Sequence, residues 1–400
     1  MRRKITYTFV IYKTFPCFLL KMKEKSYLCS LLNKLIMATI SEIKNRLAAL
    51  RAEMQANHLS AFIVPSTDPH SGEYVPEHWE SRKWISGFTG SAGTAVITMD
   101  DAGLWTDSRY FIQAEEQLAD TGIRLFKDRL PETPCISEWL GSILKKGEKV
   151  GIDGWVNSLH EAEDLRNGLT YYGLELETMT TDIFHTIWTN RPSLPKTPVF
   201  ILDETITGAS CSDKICRIQE AIAKNGASSI ILSALDEIAW TLNLRGDDVH
   251  CNPVFISYLL ISKEKHILYI LEEKISDEVR GYLKSHQVEI KTYSDLAEDL
   301  RTFKEKHAGV LQISPLANKA LYDLSAQYAE TIIASSPVAM MKAVKNETEQ
   351  AGFRKAMERD GVALVKFLRW LEKAVPAGGE TELSVDKKLY GFRAEQADFR

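Results

Sequence analysis

Arg109 is the charged residue whose position in the sequence best suits the binding of a ligand. It lies in the segment Trp105-Thr-Asp-Ser-Arg-Tyr-Phe111, at the end of a predicted strand and among aromatic side chains. A guanidinium in that setting can offer two parallel N–H donors to a carboxylate or a carbonyl group. A local ion pair with Asp107 explains the same residue without a ligand, and the residues alone slightly favour that pair.

Four potential metal ligands lie close together in the chain: His70, Glu73, Glu77 and His78. Pro69 and Pro76 interrupt any continuous helix that would align them, and their spacing matches no common zinc pattern. We therefore predict a loop at the rim of a site and not a metal centre.

The segment Gly87-Phe-Thr-Gly90-Ser-Ala-Gly93 has a glycine spacing similar to that of phosphate-binding loops. Such loops lead into a helix, and a Walker loop also carries Lys-Ser/Thr, whereas this segment lacks that pair and runs into the predicted strand 94–97. We predict a tight turn.

Cysteines and acidic residues give two weaker candidates. Cys211 and Cys216 have no partner pair, so buried thiols are the expected interpretation. Four carboxylates could form a cluster, although helix caps and surface turns explain them about as well: Asp236, Glu237, Asp247 and Asp248.

Length and composition indicate a globular protein with several domains. Four hundred residues predict two to four domains, and 44% hydrophobic with 26% charged residues is ordinary for a folded chain. A net charge of -5 argues against nucleic-acid binding, which needs a concentrated basic surface. Six scattered cysteines predict a protein of the reducing cytoplasm.

Residues 1–36 differ in kind from the rest of the chain. They carry eight basic residues and one acidic residue, a formal +7, which leaves -12 for residues 37–400. The apolar run after Met1-Arg-Arg-Lys4 imitates a secretory signal, but Lys13 interrupts it, no cleavage site follows, and it is too short to span a bilayer. We predict no membrane association, a basic leader outside the fold, and Met37 as the true start.

One order of elements occurs twice, about 168 residues apart. The first copy has a predicted helix at 40–57, with Thr39 or Ser41 as N-cap, then strands at 61–64, 95–98, 103–106 and 150–153 and a helix at 111–118. The second copy has helices at 215–222 and 277–285 and strands at 229–232, 254–257, 266–269 and 309–313. This alternation predicts α/β domains with mixed sheets flanked by helices, a tandem duplication at 40–185 and 199–335.

Two further segments complete the organisation. Residues 186–198 contain three prolines and are predicted to form a stiff linker. Residues 337–400 are predicted to contain a helix from about 345 to Pro376, a turn at Gly378-Gly379 and a second helix at 384–392. Because these residues are too few for another α/β domain, we expect an incomplete third unit.

Seven segments together resemble one family: Pro65-Ser-Thr-Asp-Pro-His70, Trp84-Ile-Ser-Gly-Phe-Thr-Gly-Ser-Ala-Gly-Thr94, Trp105-Thr-Asp-Ser-Arg-Tyr-Phe111, Ala234-Leu-Asp-Glu-Ile-Ala-Trp240, Asn243-Leu-Arg-Gly246, Asn252-Pro-Val-Phe255 and Ala343-Val-Lys-Asn346. They resemble the three-domain form of aminopeptidase P (Xaa-Pro aminopeptidase), of the creatinase/prolidase pita-bread superfamily. The resemblance runs from about 40 to 400. It implies two creatinase-type N-terminal domains followed by a pita-bread α+β catalytic domain that begins at 337.

The resemblance also implies a function. Members of the family remove an N-terminal residue that precedes proline, with two divalent ions, commonly manganese, held by two Asp, one His and two Glu. Most are cytosolic homodimers, and their partners are peptides with proline at the second position. The motif around Asp107-Ser-Arg-Tyr-Phe111 implies that Arg109 reaches toward bound peptide, which raises the expectation of a ligand above that of the ion pair.

The chain departs from the family at its end. The family's metal ligands lie downstream of the part similar to 392–399, and residues 337–400 contain no histidine. We therefore predict no metal ligand and no catalytic residue in this chain, which we interpret as the N-terminal two-thirds of an Xaa-Pro aminopeptidase, inactive as given. The alternative is a non-catalytic creatinase-like module for dimerisation or protein binding. A creatine- or dipeptide-hydrolysing relative fits less well, because such enzymes usually carry one N-terminal domain.

Overall fold

The computed structural model describes residues 22–263 and 265–399, with side chains from residue 39 onward. The predictions for residues 1–21 lie outside the described residues. The chain divides into two compact units. The first contains the chain up to Ser66 together with Glu80–Asp153 and Leu165–Arg191, and the second contains Thr67–Trp79, Gly154–Asp164 and the chain from Pro192 onward. In the described part of the chain no helix has the length and apolarity needed to cross a membrane.

The first unit contains a six-stranded mixed sheet. Its strands are β1 (Ala61–Val64), β2 (Thr94–Thr98), β3 (Ala102–Thr106), β4 (Arg124–Lys127), β5 (Lys149–Asp153) and β6 (Glu175–Met179). Their order is β4-β3-β2-β1-β5-β6. The two pairs β1/β2 and β2/β3 are antiparallel, whereas β3/β4, β1/β5 and β5/β6 are parallel.

The helices before residue 172 are α1 (Met22–Ala56), α2 (Ser81–Ser86), α3 (Phe111–Gln117), α4 (Ile136–Ile143) and α5 (Leu159–Tyr171). The apolar period predicted for α1 is confirmed, since Ile43, Leu47, Leu50 and Met54 are all buried in the core of the first unit. The predicted N-cap is wrong. The helix begins at Met22, so Thr39 and Ser41 lie inside it and part of the predicted leader is helical.

The second unit repeats the same sheet. Its strands are β8 (Ser229–Leu232), β10 (Ser257–Ser262), β11 (His266–Ile270), β12 (Val288–Thr292), β13 (Val310–Ile313) and β14 (Glu330–Ile333), and a separate two-stranded sheet pairs β7 (Phe200–Ile201) with β9 (Leu244–Arg245). The order β12-β11-β10-β8-β13-β14 matches that of the first sheet strand for strand. In both sheets the first strand in the chain lies centrally, antiparallel to one neighbour and parallel to the other. The predicted duplication is therefore confirmed in topology.

The helices of the second unit are α6 (Glu204–Thr207), α7 (Cys211–Lys224), α8 (Leu235–Leu242), α9 (Asp277–Ser285), α10 (Asp295–Arg301), α11 (Phe303–Lys306), α12 (Lys319–Tyr328), α13 (Pro337–Ala343), α14 (Glu347–Ala377) and α15 (Glu382–Ala394). Helix α7 begins with a capping box between Ser210 and Asp213 and buries Ile215, Ile218 and Ile222.

The predicted strand at 254–257 is wrong. Strand β10 begins only at Ser257, because the preceding backbone is engaged by Asp248. The N–H of Ile256 donates to Oδ2 of Asp248 at 2.7 Å, and the N–H of Asp248 donates to the carbonyl of Val254 at 3.2 Å. Apolar β-prone residues at 254–256 are thus buried in an irregular segment.

Helices α14 and α15 occupy the part of the chain that was predicted to be incomplete. Helix α14 begins close to the predicted position, with a capping box between Asn346 and Glu349, and Pro376 lies in its last turn. Ala363 is the one buried side chain among the described residues of these two helices. Much of their apolar surface is therefore exposed, including Met357, Val365 and Leu368.

Candidate ligand-binding site at the end of strand β3

Arg109 lies in the tight turn between β3 and α3, in the first unit. Strand β3 ends at Thr106, the N–H of Tyr110 donates to the carbonyl of Asp107 at 3.0 Å to close the turn, and α3 begins at Phe111. The apolar strand is buried, whereas Arg109 is exposed. The fold thus places this guanidinium at the end of a buried strand, as the sequence predicted.

The ion pair of Arg109 with Asp107 is present. Nε of Arg109 donates to Oδ1 at 2.9 Å and Nη2 donates to Oδ2 at 2.8 Å, while the backbone N–H of Arg109 donates to Oδ1 at 3.0 Å. These hydrogen bonds lower the pKa of Asp107 and raise that of Arg109. Two-thirds of the Arg109 side chain remains exposed. In the part of the chain that the structure describes, the Nη1 group has no partner and Nη2 uses one of its two N–H bonds, so three N–H donors remain for a ligand.

A buried arginine holds the loop 87–93 beside this turn. Arg82 is 5% exposed; its Nε donates to Oγ of Ser66 at 2.8 Å, and its Nη1 donates to the carbonyl of Phe88 at 2.5 Å. Nη2 donates to the carbonyl of Gly90. Burial lowers the pKa of Arg82 to about 10. Arg82 was not identified as a candidate from the sequence.

The loop and Arg109 meet at one aromatic ring. The hydroxyl groups of Ser91 and Tyr110 are 2.6 Å apart, and Cζ of Arg109 lies 5.2 Å from the centroid of the Tyr110 ring. A Cβ atom at Gly90 would come within 2.8 Å of the same ring, which explains why glycine stands there. As predicted, the loop leads directly into β2 and not into a helix.

His70 does not lie at the rim of a site, which corrects the prediction. It is 3% exposed and belongs to the second unit. Its Nδ1 is 2.8 Å from the carbonyl of Ser233 and its Nε2 is 2.9 Å from the hydroxyl of Tyr293. Because a carbonyl can only accept, Nδ1 carries the proton, and the hydroxyl of Tyr293 donates to Nε2. Burial lowers the pKa of His70, so the ring is a satisfied neutral core histidine.

His78 and Asp68, which lie near His70 in the chain, also form hydrogen bonds within the protein. Nδ1 of His78 is 2.7 Å from the carbonyl of Pro192. Asp68, which the sequence analysis did not single out as a site residue, is 2% exposed and accepts from the N–H of His70 at 2.8 Å. Its position before proline in Thr67-Asp-Pro69 is a turn signal that could have identified it.

The cysteines and carboxylates require two corrections. Cys211 is buried, which raises its pKa to about 12, but Cys216 is exposed and not a buried thiol. Asp248 is not in a surface turn: its side chain and that of Lys274 are both fully buried and form an ion pair. Glu237 is buried as well and accepts a hydrogen bond from Ser336 at 2.6 Å. Asp248 and Glu237 therefore have different partners and do not form one carboxylate cluster.

The two-metal ligand set of two Asp, one His and two Glu does not fit the described residues. Among them, no three His, Cys, Asp or Glu side chains lie close enough together to hold a metal ion. Arg109, Tyr110 and the loop 87–93 offer hydrogen-bond donors and an aromatic surface, which suit a polar organic ligand.

Comparison with known proteins shows which family this chain is similar to. The family model of the creatinase/prolidase N-terminal domain matches residues 46–183, and a second model of the same description matches residues 190–349. The chain is 38% identical over 369 residues to Xaa-Pro aminopeptidase 1 of Dictyostelium discoideum, which covers 89% of this chain and 58% of that protein. It is 35% identical over 376 residues to Xaa-Pro aminopeptidase 2 of Homo sapiens, covering 92% of this chain and 55% of that protein.

A solved structure is also similar to this chain. The X-prolyl aminopeptidase of Caenorhabditis elegans, a cytosolic enzyme with a di-nuclear active site, matches with a TM-score of 0.83 and 29% identity, over 90% of this chain and 60% of that one. The chain thus spans somewhat more than half the length of the curated relatives it matches.

Proposed function

Since the chain belongs to the Xaa-Pro aminopeptidase family, we propose that it forms the substrate-positioning part of an enzyme that hydrolyses the bond between an N-terminal residue and a following proline. The observation that carries this proposal is the placement of Arg109. Its guanidinium is fixed along one edge by two hydrogen bonds to Asp107 and faces solvent with three N–H donors left. A group that is oriented before the ligand arrives loses little entropy on binding.

Asp107 acts in this proposal as a positioning residue. It occupies Nε and Nη2 of Arg109, so the guanidinium plane cannot turn freely about its long side chain. Its negative charge also offsets the positive charge of Arg109. The pair therefore suits a neutral main-chain group of a peptide better than an anion.

Hydrolysis is proposed to need residues other than those of this chain. The metal chemistry of the family, two divalent ions and most commonly manganese, would supply an activated water, but residues 337–400 contain no histidine to complete its ligand set. We expect the 400 residues to bind a peptide with proline at its second position without cleaving it. A cytoplasmic location and a homodimer, the usual state of the family, belong to the same proposal.

Peptide binding and cleavage can be tested separately with the purified chain. We expect an Xaa-Pro-Xaa peptide to bind, and Arg109→Met to weaken binding about tenfold, the usual effect of a lost hydrogen bond to a charged group. Arg124→Met is the matched control, because Arg124 is exposed in the same unit and also pairs with an aspartate, Asp101, at 2.6 Å. Equal affinities of the two variants would refute the role of Arg109, and manganese-dependent release of the first residue would refute the expected inactivity.

A further inference from the structure

Four carbonyl groups of the loop 87–93, those of Phe88, Gly90, Ala92 and Gly93, turn toward the protein. Arg82 donates to the carbonyls of Phe88 and Gly90. Oγ1 of Thr106 donates to the carbonyl of Ala92 at 2.7 Å, and Oγ of Ser66 donates to the carbonyl of Gly93 at 2.6 Å. Arg82 and Thr106 are both buried, so these acceptors are directed inward.

The orientation of these carbonyls fixes the orientation of the amides that follow them. In a trans peptide unit the C=O of one residue and the N–H of the next point in opposite directions, and the described part of the chain contains no cis peptide bond. The N–H groups of Thr89, Ser91 and Gly93 therefore point away from Arg82 and Thr106. The N–H of Thr89 confirms this direction, because it donates to Oε1 of Gln117 at 2.9 Å, in an exposed hydrogen bond.

The N–H groups of Ser91 and Gly93 have no hydrogen-bond partner among residues 22–263 and 265–399. Ser91 is exposed and Gly93 is half-buried, so this part of the loop borders solvent. An amide without a protein partner prefers an acceptor, which is either water or a ligand. Two backbone N–H groups that face the same side can both donate to acceptor oxygens of one ligand.

The edge formed by the loop and Arg109 offers several hydrogen-bond donors. The edge contains the amides of Ser91 and Gly93 and the Nη1 group of Arg109, with the Tyr110 ring between them. Both oxygens of Asp107 are already occupied, and its charge offsets that of Arg109. A neutral acceptor, such as the carbonyl oxygen of a peptide bond, matches this edge better than a carboxylate does.

We propose that the N–H groups of Ser91 and Gly93 bind main-chain carbonyl oxygens of the peptide substrate, at the proline and the residue after it. Proline keeps its carbonyl but has no N–H, so a segment that contains it presents more acceptors than donors. A surface made of donors is complementary to such a segment. This inference rests on the proposed function, because it assigns a second contact to the peptide that Arg109 binds.

The test follows the amide signals of the loop by nuclear magnetic resonance, with serine and glycine labelled with ¹⁵N in the full chain. Titration with an Xaa-Pro-Xaa peptide should shift the signals of Ser91 and Gly93. Gly122 and Gly147, which lie in other turns of the same unit with open space around them, should not move. The free acid and the C-terminal amide of the peptide should bind within about twofold, since both retain the carbonyl groups that the edge binds.

A variant at Arg82 tests the loop without touching the ligand. Arg82→Gln should weaken binding about fivefold to tenfold, because it releases the carbonyls of Phe88 and Gly90 and with them the amide directions. Arg82→Lys should restore part of the affinity, and circular dichroism must show both variants folded. If Arg82→Gln unfolds, Tyr110→Phe replaces it, since it removes only the hydroxyl that holds Ser91.

The outcomes separate this inference from the function it rests on. If the peptide binds through Arg109 while Ser91 and Gly93 stay still, the loop contact is refuted and the proposed function stands. If the acid binds more than tenfold better than the amide, recognition is of a carboxylate and the carbonyl assignment is overturned. If no Xaa-Pro-Xaa peptide binds in the millimolar range, both proposals fall.

Discussion

The ammonium group of Lys214 donates a hydrogen bond to the side-chain carbonyl of Asn243, with Nζ and Oδ1 2.6 Å apart. Nζ also donates to the main-chain carbonyl of Trp240 at 2.9 Å and lies 4.3 Å from the centroid of its indole ring. Asn243 ends α8 in the left-handed region, with φ at 53°, and its Nδ2 donates to the carbonyl of Ala209 at 2.9 Å. One buried cation on α7 thus holds the C-terminal end of α8, and Asn243 connects that end to Ala209, which precedes α7.

Removing this cation should destabilise the second unit. Lys214→Met keeps the length of the side chain but leaves two buried acceptors, on Trp240 and Asn243, without their donor, and we expect a loss of about 2–4 kcal/mol in the free energy of unfolding. Urea unfolding followed by tryptophan fluorescence measures it. Lys224→Met, in the last turn of the same helix and exposed, is the control and should change stability by less than about 0.5 kcal/mol. Equal effects of the two variants would contradict the role of the buried hydrogen bonds.

The contribution of Lys214 should also depend on pH. Burial lowers its pKa from 10.5 to about 8. Between those values the unfolded chain binds the proton more strongly than the folded one, so the stability of the native protein rises with pH across this window. Relative to Lys214→Met, we expect the wild type to gain on the order of 1–2 kcal/mol from pH 7.5 to pH 10. A stability difference that stays constant over this range would show that the lysine is not buried as described.

Two glycines with the same backbone conformation should respond differently to alanine. Gly87 and Gly147 both have positive φ, 71° and 82°, so alanine at either strains the backbone by about 1 kcal/mol. At Gly87 the added Cβ would also come within 2.5 Å of Cδ1 of Ile43, whereas at Gly147 it meets nothing within 4 Å. We expect Gly87→Ala to lower the free energy of unfolding by about 1 kcal/mol more than Gly147→Ala does. Adding Ile43→Val to Gly87→Ala should recover part of the difference, and no recovery would show that the contact with Ile43 is not its cause.

The exposed apolar surface of α14 should bind a hydrophobic dye. Met357, Val365 and Leu368 are each more than half exposed on this helix. We expect the chain to enhance the fluorescence of anilinonaphthalene sulfonate, and replacement of all three residues by glutamine to reduce the signal several-fold without lowering stability. Ile112→Gln, which changes a single exposed apolar residue on α3, should leave the signal unchanged. Persistent dye binding by the triple variant would place the apolar surface elsewhere.

Local patterns predicted much of the fold. The apolar period over Ile43–Met54 gave the packing face of α1, and the repeat of strands and helices gave two sheets of the same order. The period did not reveal that α1 starts at Met22, because a helix can continue upstream of its buried face. The strand expected at 254–257 failed for a related reason: Asp248 binds that backbone, and apolar residues that are buried need not form a strand.

The candidate site was predicted only in part. Arg109 and Asp107 are two residues apart, so their contact could be read from the sequence. Arg82 could not be identified, since Lys83 follows it and nothing in a short helix tells which of two adjacent cations is buried. His70 was misplaced because its partners, Ser233 and Tyr293, lie 163 and 223 residues away.

Because the partners of His70 lie far along the chain, its contacts can form only late in synthesis. All six strands of the first sheet are complete by Met179, before any strand of the second sheet leaves the ribosome, which limits exchange of strands between two sheets of identical order. Residues 67–79 cannot complete their contacts at the time the first sheet forms. Although they emerge early, the imidazole of His70 must wait for the Tyr293 hydroxyl, made 223 residues later. At roughly 5–20 residues per second this interval lasts about 10–45 seconds, during which the early segment lacks its final contacts.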